Sequence, residues 1–298
     1  MLNAAAQFLV GTASWTDPTL VKSDLFYPPD AKTAEARLAF YATQFRTVEV
    51  DASYYALLSR RVAQLWAERT PPNFVFNVKA FAWLTQHAAD TARLPAAIKD
   101  ALSPAMKTER RIKSPPPDVL GLAFQMFWSA LEPLREAGKL GMTLFQFPPY
   151  VTNRETNQEY IASLPERMPG APIAIEFRHK SWLADGAARA HTMDFLRANR
   201  LTYVSVDAPK AAGLPPILEA TGPDAYVRFH GHNEDNWFRR DATVAERYKY
   251  LYSERELAEW AGKLKHLEGV RRAFAIFNNC YANFGVMNAA TMAQMLSR

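Results

Sequence analysis

Short runs of β-branched and aromatic residues recur eight times along the chain, and each run ends in polar residues. Most of these runs are separated by segments whose apolar residues are three and four positions apart, which is the spacing of a helix face. Strands that alternate with helices pair in parallel, so the pattern predicts an α/β protein. The predicted strands span residues 8–15, 47–55, 74–80, 141–148, 172–178, 202–208, 225–231 and 273–279.

Parallel strands covered by helices form either an open, doubly wound sheet or a closed barrel. Eight regular units, with no Gly-x-Gly-x-x-Gly after the first strand, favour a (β/α)8 TIM-type barrel. A barrel of this kind needs roughly 250 residues, and the chain has 298. We therefore expect one domain over residues 1–298.

The predicted helices begin and end with recognisable signals. They span residues 33–45, 59–69, 119–138, 187–199 and 254–267. Ser253 followed by Glu256 is a capping-box pattern at the start of the last of these. Two prolines after Thr70 end the helix that precedes the third strand, because proline cannot continue a helix.

The longest connection, residues 81–119, follows the third strand and is predicted to be an insertion. It carries Lys107, Arg110, Arg111 and Lys113, followed by three prolines at 115–117. Connections after a strand emerge at the face of a barrel where active sites lie, so this basic arm is expected to overhang the site. It either holds phosphates or is a solvated, partly disordered loop without a ligand.

Composition and charge exclude some classes of protein. No run approaches the roughly 18 consecutive apolar residues of a membrane-spanning helix, so no membrane role is expected. A lone cysteine, Cys280, cannot form an internal disulfide, and no basic leader begins the chain, so we expect a cytoplasmic protein.

The formal charge of +5 favours anionic partners, including nucleic acids, although many basic enzymes bind no nucleic acid. The sequence leaves the cofactor and the oligomeric state open.

Polar residues with matched strand parity converge on the carboxyl ends of the predicted strands. Side chains alternate across a strand, so each of the following pairs shares one face: Glu49 with Asp51, Asn77 with Lys79, Glu176 with Arg178, and Arg228 with His230. Gln146, Asp207, Asn278 and Asn279 are predicted to complete the ring. Charges inside a barrel destabilise it unless they are paired, so the ring is either a functional site or a set of internal ion pairs.

Aromatic residues also lie in or just after the strand ends, namely Trp15, Tyr54, Tyr55, Trp182, Trp237 and Phe238. Such rings stack against a base or sugar, or they pack in the core. Trp15 is retained as a candidate ligand-binding residue.

Several ordered sequence blocks resemble one known family. They are Gly11-Thr12-Ala13-Ser14-Trp15, Phe26-Tyr27-Pro28, Thr47-Val48-Glu49-Val50, Gln146-Phe147-Pro148-Pro149, Glu176-Phe177-Arg178-His179 and Arg228-Phe229-His230-Gly231. Together they are similar to the domain of unknown function 72 family, the YecE-like proteins. The resemblance implies a barrel of the triosephosphate isomerase type and no established activity. Ala13-Ser14 replaces the Ser-Gly common in that family, residues 280–284 lack its usual small residues, and residues 91–117 match none of its motifs.

Three functions are compatible with the ring. The first is an enzyme that performs acid–base chemistry on a phosphorylated or nucleic-acid-like anion, with Glu49, Glu176 and His230 as catalytic residues. The ligand-binding candidates for this function are Trp15, Asp51, Lys79, Gln146, Arg178, Asp207, Arg228, Asn278 and Asn279.

The second function is a divalent-metal enzyme similar to sugar isomerases and endonuclease IV, with Glu176, Asp207 and His230 at successive strand ends as ligands. The eighth strand, however, ends in two asparagines where a bridging carboxylate is expected, and Arg178 competes for Glu176. The third is a noncatalytic module that binds a small anion or a nucleic acid, which the fold alone does not exclude.

Overall fold

Eight parallel strands form the wall of a barrel in the computed structural model, which describes residues 6–298. The strands are β1 Gln7–Thr12, β2 Thr47–Val50, β3 Val75–Lys79, β4 Leu140–Gln146, β5 Ile173–Glu176, β6 Thr202–Asp207, β7 Asp224–Phe229 and β8 Arg272–Phe277. The predicted (β/α)8 TIM-type barrel is confirmed. The expectation that no basic leader begins the chain depends partly on residues 1–5. These five residues lie outside the described part of the chain.

The strands pair in the order β1-β8-β7-β6-β5-β4-β3-β2. The seam between β1 and β2 closes through a single bridge between Ala13 and Glu49, where the Ser14 N–H donates to the Glu49 carbonyl at 2.8 Å. A Cβ atom on Gly11 would lie 2.1 Å from the Thr47 carbonyl oxygen. The seam therefore closes because Gly11 has no side chain.

Replacement of Gly11 by alanine is expected to lower the free energy of unfolding by about 1–3 kcal/mol, because the added methyl group collides with the backbone of the neighbouring strand. Urea denaturation measures this change. Gly121→Ala is the matched control, since a Cβ there meets no atom within 4 Å. Gly121 lies inside the helix Pro117–Ala130, where alanine is favoured by about 0.5–1 kcal/mol. Equal stability of the two variants would contradict the strand contact.

Helices connect most of the strands and cover the outside of the barrel. In residues 6–298 they are Pro18–Ser23, Ala34–Gln44, Ala52–Tyr55, Arg60–Glu68, Ala96–Ala101, Pro104–Thr108, Pro117–Ala130, Glu132–Glu136, Glu155–Ala162, Leu164–Arg167, Gly186–Ala198, Glu234–Trp237, Val244–Arg247, Glu254–Lys265 and Phe284–Ser297, with 3-10 turns at Ala82–Thr85, Thr91–Arg93, Lys180–Trp182 and Lys210–Ala212. The capping box of Ser253 and Glu256 is present. Across the part of the chain that the structure describes, each helix is too short or too polar to cross a bilayer.

Two connections differ from the regular pattern. The one between β6 and β7 holds only the 3-10 turn Lys210–Ala212, because prolines at 209, 215 and 216 prevent a longer helix. The predicted helix 119–138 is two helices, with Pro133 in the first turn of the second. The alternation of strand and helix is therefore less regular than the sequence predicts.

Residues 81–116 are a folded insertion rather than a disordered loop. Its strand Ala89–Asp90 pairs antiparallel with Arg111–Ile112. The Trp83 indole N–H donates to the Ile112 carbonyl at 2.8 Å, and both side chains are buried. The backbone that carries Arg110 and Arg111 is thus fixed in position.

The core has an inner and an outer part. Buried residues inside the barrel include Leu9, Met142, Leu144, Val204, Tyr226 and Phe274. A larger apolar cluster, which includes Val48, Val50 and Phe229, lies between the strands and the helices. Tyr226 is in register with Val204 and Phe274, and Arg228 follows two residues later on the same face of β7. The interior is apolar at this level, and polar side chains lie nearer the carboxyl ends of the strands.

Ser14 lies in a turn whose backbone conformation usually favours glycine. Its φ is +72°, in the left-handed region that favours glycine. The Ser14 Oγ accepts from the Thr16 N–H at 3.0 Å. This turn keeps its shape through a local hydrogen bond of the serine.

Candidate functional site

A fully buried ion cluster lies in the barrel beneath its mouth, the opening at the carboxyl ends of the strands. Arg228 of β7 donates through Nη2 to Glu49 Oε1 and through Nη1 to Glu176 Oε2, each at 2.6 Å. The side chains of Glu49, Glu176 and Arg228 have no exposed surface. Because these residues come from β2, β5 and β7, one guanidinium group holds three separate strands together.

Tyr226 and Gln146 complete the hydrogen bonds of this cluster. The Tyr226 hydroxyl donates to Glu49 Oε2 at 2.7 Å, and Gln146 Oε1 accepts from Arg228 Nη1 at 3.1 Å. Tyr226 is not among the site residues predicted from the sequence. Its position two residues before Arg228 on the same strand was the signal that could have identified it.

Arg178 lies directly above the buried cluster and retains some exposed surface. Its Nε donates to Glu176 Oε1, and its Nη2 lies 2.9 Å from His230 Nε2 and 3.5 Å from Gln146 Oε1. About 13% of the Arg178 side chain is exposed, whereas Glu176 and His230 have none. Arg178 therefore reaches the solvent, while its partners lie behind it.

His230 is neutral and is held on both ring nitrogens. Arginine only donates, so His230 accepts at Nε2 and carries its proton on Nδ1. Asn278 Nδ2 lies 3.0 Å from Nδ1, and since two donors do not bond to each other, the proton on Nδ1 requires the Asn278 amide to be turned so that its oxygen accepts. Burial, together with Arg178, lowers the pKa of His230 to about 3. His230 is thus uncharged at neutral pH.

Asp51 and Lys79 form a second, partly exposed pair at the mouth. Lys79 Nζ lies 3.5 Å from Asp51 Oδ1 and 4.9 Å from the centre of the Tyr54 ring. About 27% of the Asp51 side chain and 13% of the Lys79 side chain are exposed. Within residues 6–298, Asp51 Oδ1 accepts no hydrogen bond although the atom is buried. The pair therefore has unused hydrogen-bonding capacity.

The three carboxyl groups differ in their tendency to ionise. Burial raises the pKa of Glu49 to about 7 and outweighs the effect of Arg228. Burial acts in the same direction on Glu176, but Arg178 and Arg228 outweigh it and hold the pKa of Glu176 well below its usual range. For Asp51, Lys79 and Arg228 likewise overcome burial and lower the pKa. Asp51 and Glu176 are therefore carboxylates at neutral pH, whereas Glu49 exchanges a proton there.

Aromatic residues surround an open cavity of about 240 Å³ beside Arg178. The cavity is lined by Gln146, Pro149, Arg178, Ala212, Leu214, Trp237, Phe238 and Tyr248. Phe238 is 69% exposed, so its ring is available to a ligand in this cavity. Trp182, in contrast, is buried and stacks on Phe177 with ring centres 4.2 Å apart.

Asp207 does not join the cluster. Val204 and Val206 face the barrel interior, so Asp207 has the opposite parity and faces the helices. Asp207 Oδ2 accepts from the Tyr252 hydroxyl at 2.6 Å and lies 2.9 Å from His232 Nε2. The ring predicted from the sequence therefore lacks this member.

Trp15 and Asn279 also lie on the outer side of the wall. Trp15 packs edge-on against Trp66, with ring centres 5.3 Å apart, and is nearly buried in the outer core. Asn279 donates to Asn288 Oδ1 at 2.9 Å. Asn278 has the inward parity instead and contacts His230.

The residues of the metal hypothesis are not brought together. Asp207 faces away from the interior, and Arg178 and Arg228 occupy both oxygens of Glu176. Arg178 also occupies His230 Nε2. In the described part of the chain, no three His, Cys, Asp or Glu side chains are grouped closely enough to hold a metal ion. The divalent-metal function therefore does not fit this site.

Two further residues near the mouth were missed from the sequence. His87, in the insertion, lies edge-on to Tyr54 with ring centres 5.2 Å apart, and burial together with Lys79 lowers its pKa to about 4. Tyr248 lies 5.6 Å from His230 between ring centres. Both belong to connections outside the strands, where strand parity gives no signal.

Comparisons with known proteins agree on one family. The model of the family described as "Protein of unknown function DUF72" matches residues 9–298. The chain is 30% identical over 295 residues to UPF0759 protein YunF of Bacillus subtilis (strain 168), covering 96% of this chain and 94% of that protein. The crystal structure of a DUF72 family protein from Thermotoga maritima is 32% identical, has a TM-score of 0.75, and covers 98% of this chain and 100% of that one. A DUF72 family protein from Enterococcus faecalis has a TM-score of 0.78 at 24% identity, covers 98% of this chain and 96% of that one, and supports the fold alone.

Proposed function

The chain belongs to the DUF72 family, and we propose that it is an enzyme that performs acid–base chemistry on an anionic, phosphorylated ligand bound at the barrel mouth. One observation carries the proposal. Partly exposed Asp51, Lys79 and Arg178 lie directly on a fully buried ion cluster. Charged groups fixed in this way are where proton transfer and charge stabilisation are available without rearrangement.

The proposal divides the residues by exposure. Asp51, Lys79, Arg178 and Gln146 contact the ligand, since each has exposed surface or lines the mouth cavity. A second set lies beneath these residues and positions them through hydrogen bonds. It consists of Glu49, Glu176, Arg228, His230 and Asn278. Ionised Asp51 accepts a proton from the ligand, and Lys79 and Arg178 hold its anionic group.

The charge balance favours an anion. Lys79, Arg178 and Arg228 bring three positive charges, and Glu49, Asp51 and Glu176 bring three carboxyl groups. Because the pKa of Glu49 is raised to about 7, this group is partly protonated at neutral pH. The cluster then carries excess positive charge, which binding of a phosphate group neutralises.

A panel of phosphate esters tests the proposal, with thermal shift for binding and ³¹P and ¹H NMR for turnover. Sugar phosphates, nucleotides and short oligonucleotides are the probes. We expect at least one to bind and to be converted. Lys79→Met is expected to weaken its binding by about tenfold to a hundredfold, since a hydrogen bond from a charged group contributes about 1.5–3 kcal/mol.

Lys265→Met is the matched control, because Lys265 is exposed in the last turn of the helix Glu254–Lys265. Its affinity should equal that of the wild type. Binding without conversion across the panel would contradict the enzymatic part of the proposal and would favour a noncatalytic binding module. Equal affinities of the Lys79→Met and Lys265→Met variants would contradict a ligand at the mouth.

A further inference from the structure

A larger cleft, of about 510 Å³, lies between the end of β2 and the insertion. It is lined by Tyr54, Tyr55, Ala82, Ala88, Ala89, Asp90, Arg93, Arg110 and Arg111. These residues follow β2 and β3, so the cleft opens on the same face of the barrel as the mouth. None of its arginines belongs to the ion cluster described above.

Three arginines face a single aspartate in this cleft. Asp90 Oδ1 accepts from the Ala92 N–H at 3.0 Å, and Arg111 Nη2 donates to the Ala88 carbonyl at 2.9 Å. Among residues 6–298, neither Arg93 nor Arg110 has a carboxylate partner within 4.0 Å. The cleft therefore carries excess positive charge on a backbone that the strand pair Ala89–Asp90 and Arg111–Ile112 holds in place.

Two tyrosines give the cleft a flat aromatic wall. Tyr55 is 55% exposed, and the Tyr54 ring stands perpendicular to it with ring centres 5.0 Å apart. The Arg93 guanidinium lies 5.8 Å from the centre of the Tyr55 ring. An exposed ring next to arginines provides both a stacking surface for a base and donors for a phosphate.

Tyr54 connects the cleft with the mouth. Its ring lines the cleft, and Lys79 Nζ of the mouth lies 4.9 Å from the ring centre. His87 packs edge-on against the same ring. A ligand held in the cleft is therefore within reach of the exposed cations of the mouth.

We propose that this cleft binds a nucleotide unit, with its phosphate held by Arg110 and Arg111 and its base stacked on Tyr55. The inference rests on the proposed function, since the nucleotide serves as the nonreacting handle of the ligand whose other end enters the mouth. A cleft of this size admits a base, a sugar and a phosphate together, whereas inorganic phosphate alone leaves the tyrosine wall uncovered.

Isothermal titration with adenosine 5′-monophosphate, ribose 5-phosphate and adenosine tests the cleft separately from the mouth. The monophosphate is expected to bind more tightly than either part. Tyr55→Ala should weaken its binding by about five- to a hundredfold through lost stacking. Arg110→Ala should weaken it by about tenfold or more through lost phosphate contact.

The control is Arg271→Ala, an exposed arginine just before β8 at the opposite end of the barrel, which should leave the affinity unchanged. Lys79→Met separates the two sites. Affinity that depends on Lys79 and not on Arg110 would place the nucleotide in the mouth, which overturns this inference and supports the proposed function.

Absence of nucleotide binding would also overturn the inference, while the other phosphate esters still decide the proposed function. If ribose 5-phosphate binds as tightly as the nucleotide, the assignment of the base to Tyr55 is wrong. A single-stranded oligonucleotide of four nucleotides tests whether the bound nucleotide unit belongs to a nucleic acid strand or is a free nucleotide. Tighter binding than the mononucleotide assigns the cleft to a nucleic acid strand, and equal or weaker binding assigns it to a free nucleotide.

Discussion

Replacement of Arg228 by methionine is expected to lower the free energy of unfolding by about 3–5 kcal/mol, because it removes the cation that two buried glutamate side chains share. Arg228 and its partners Glu49 and Glu176 are fully buried. Within residues 6–298, Glu176 keeps Arg178, but the one close donor left to the Glu49 side chain is the Tyr226 hydroxyl. Urea denaturation at neutral pH measures the change.

The loss of stability in Arg228→Met should depend on pH. The pKa of Glu49 is already raised in the folded protein, and removal of Arg228 raises it further. Protonated Glu49 needs no cation, so the part of the loss that comes from Glu49 is smallest below its wild-type pKa of about 7, where both folded proteins keep this proton. It grows as the pH rises above about 7, because Glu49 then ionises beside Arg228 in the wild type, whereas in the variant it must keep its proton or ionise without a cation.

Two variants separate this explanation from a simple loss of packing. Adding Glu49→Gln to Arg228→Met should restore part of the stability at neutral pH, because the unpaired acid is removed. Arg197→Met is the control for a paired arginine at the surface, where Arg197 contacts Asp194 and Glu219 while 44% exposed. Exposed pairs contribute about 0–1 kcal/mol, so this variant should remain close to the wild type. A similar loss in both variants would exclude the buried pair as the cause.

The barrel was predictable because it depends on repeated local patterns. Parallel strands covered on both faces need apolar runs, and these runs identified all eight strands, seven of them to within three residues at each end. The second strand was wrongly predicted to continue to Tyr55, because it ends at Val50 and residues Ala52–Tyr55 form a helix. The exceptions are local. Prolines around the 3-10 turn Lys210–Ala212 leave that connection without a longer helix. The folded insertion, residues 81–116, depends on contacts such as that of Trp83 with Ile112, which a pattern of charges and prolines does not reveal.

The site was predictable only as far as strand parity is reliable. Parity correctly brought together Glu49, Glu176, Arg228 and His230, because each lies in or just beyond a strand whose inward face is set by its neighbours. The same rule places Asp207 outside, since Val204 and Val206 are inward on β6. The order of polar residues along the chain suggested a complete ring, but the alternation of side chains along β6 excludes Asp207 from it.

Which residues are exposed could not be predicted from the sequence. Glu176 and His230 were expected to be catalytic, but Arg178 covers both of them. The depth of a side chain within a barrel depends on its position along the strand and on the residue above it. Asp51 and Lys79 remain partly exposed because they lie at the very ends of β2 and β3. The roles of these five residues stay predictions.

Asp51→Asn is expected to lower kcat/KM for the converted phosphate ester by about a hundredfold to ten-thousandfold, the usual contribution of a positioned proton acceptor. Asn keeps the size and polarity of the side chain but accepts no proton at neutral pH. Neighbouring cations outweigh burial and lower the pKa of Asp51, so the wild-type group is ionised there. Steady-state kinetics on the folded variant measure the effect. Asp194→Asn, in an exposed helix pair, should be fully active.

The pH profile then decides which carboxyl group accepts the proton. The pKa of Asp51 lies below its ordinary value of 3.8, so Asp51 as the base causes no loss of activity as the pH falls from 8 to about 5. Glu49, with a pKa raised to about 7, would cause a loss over that interval, and Glu49→Gln would abolish both this limb and the activity. A profile without a loss of activity between pH 8 and about 5, together with an inactive Asp51→Asn variant, assigns proton transfer to Asp51. An acid limb near 7 with an active Asp51→Asn variant assigns it to Glu49, reached through a rearrangement of Arg228.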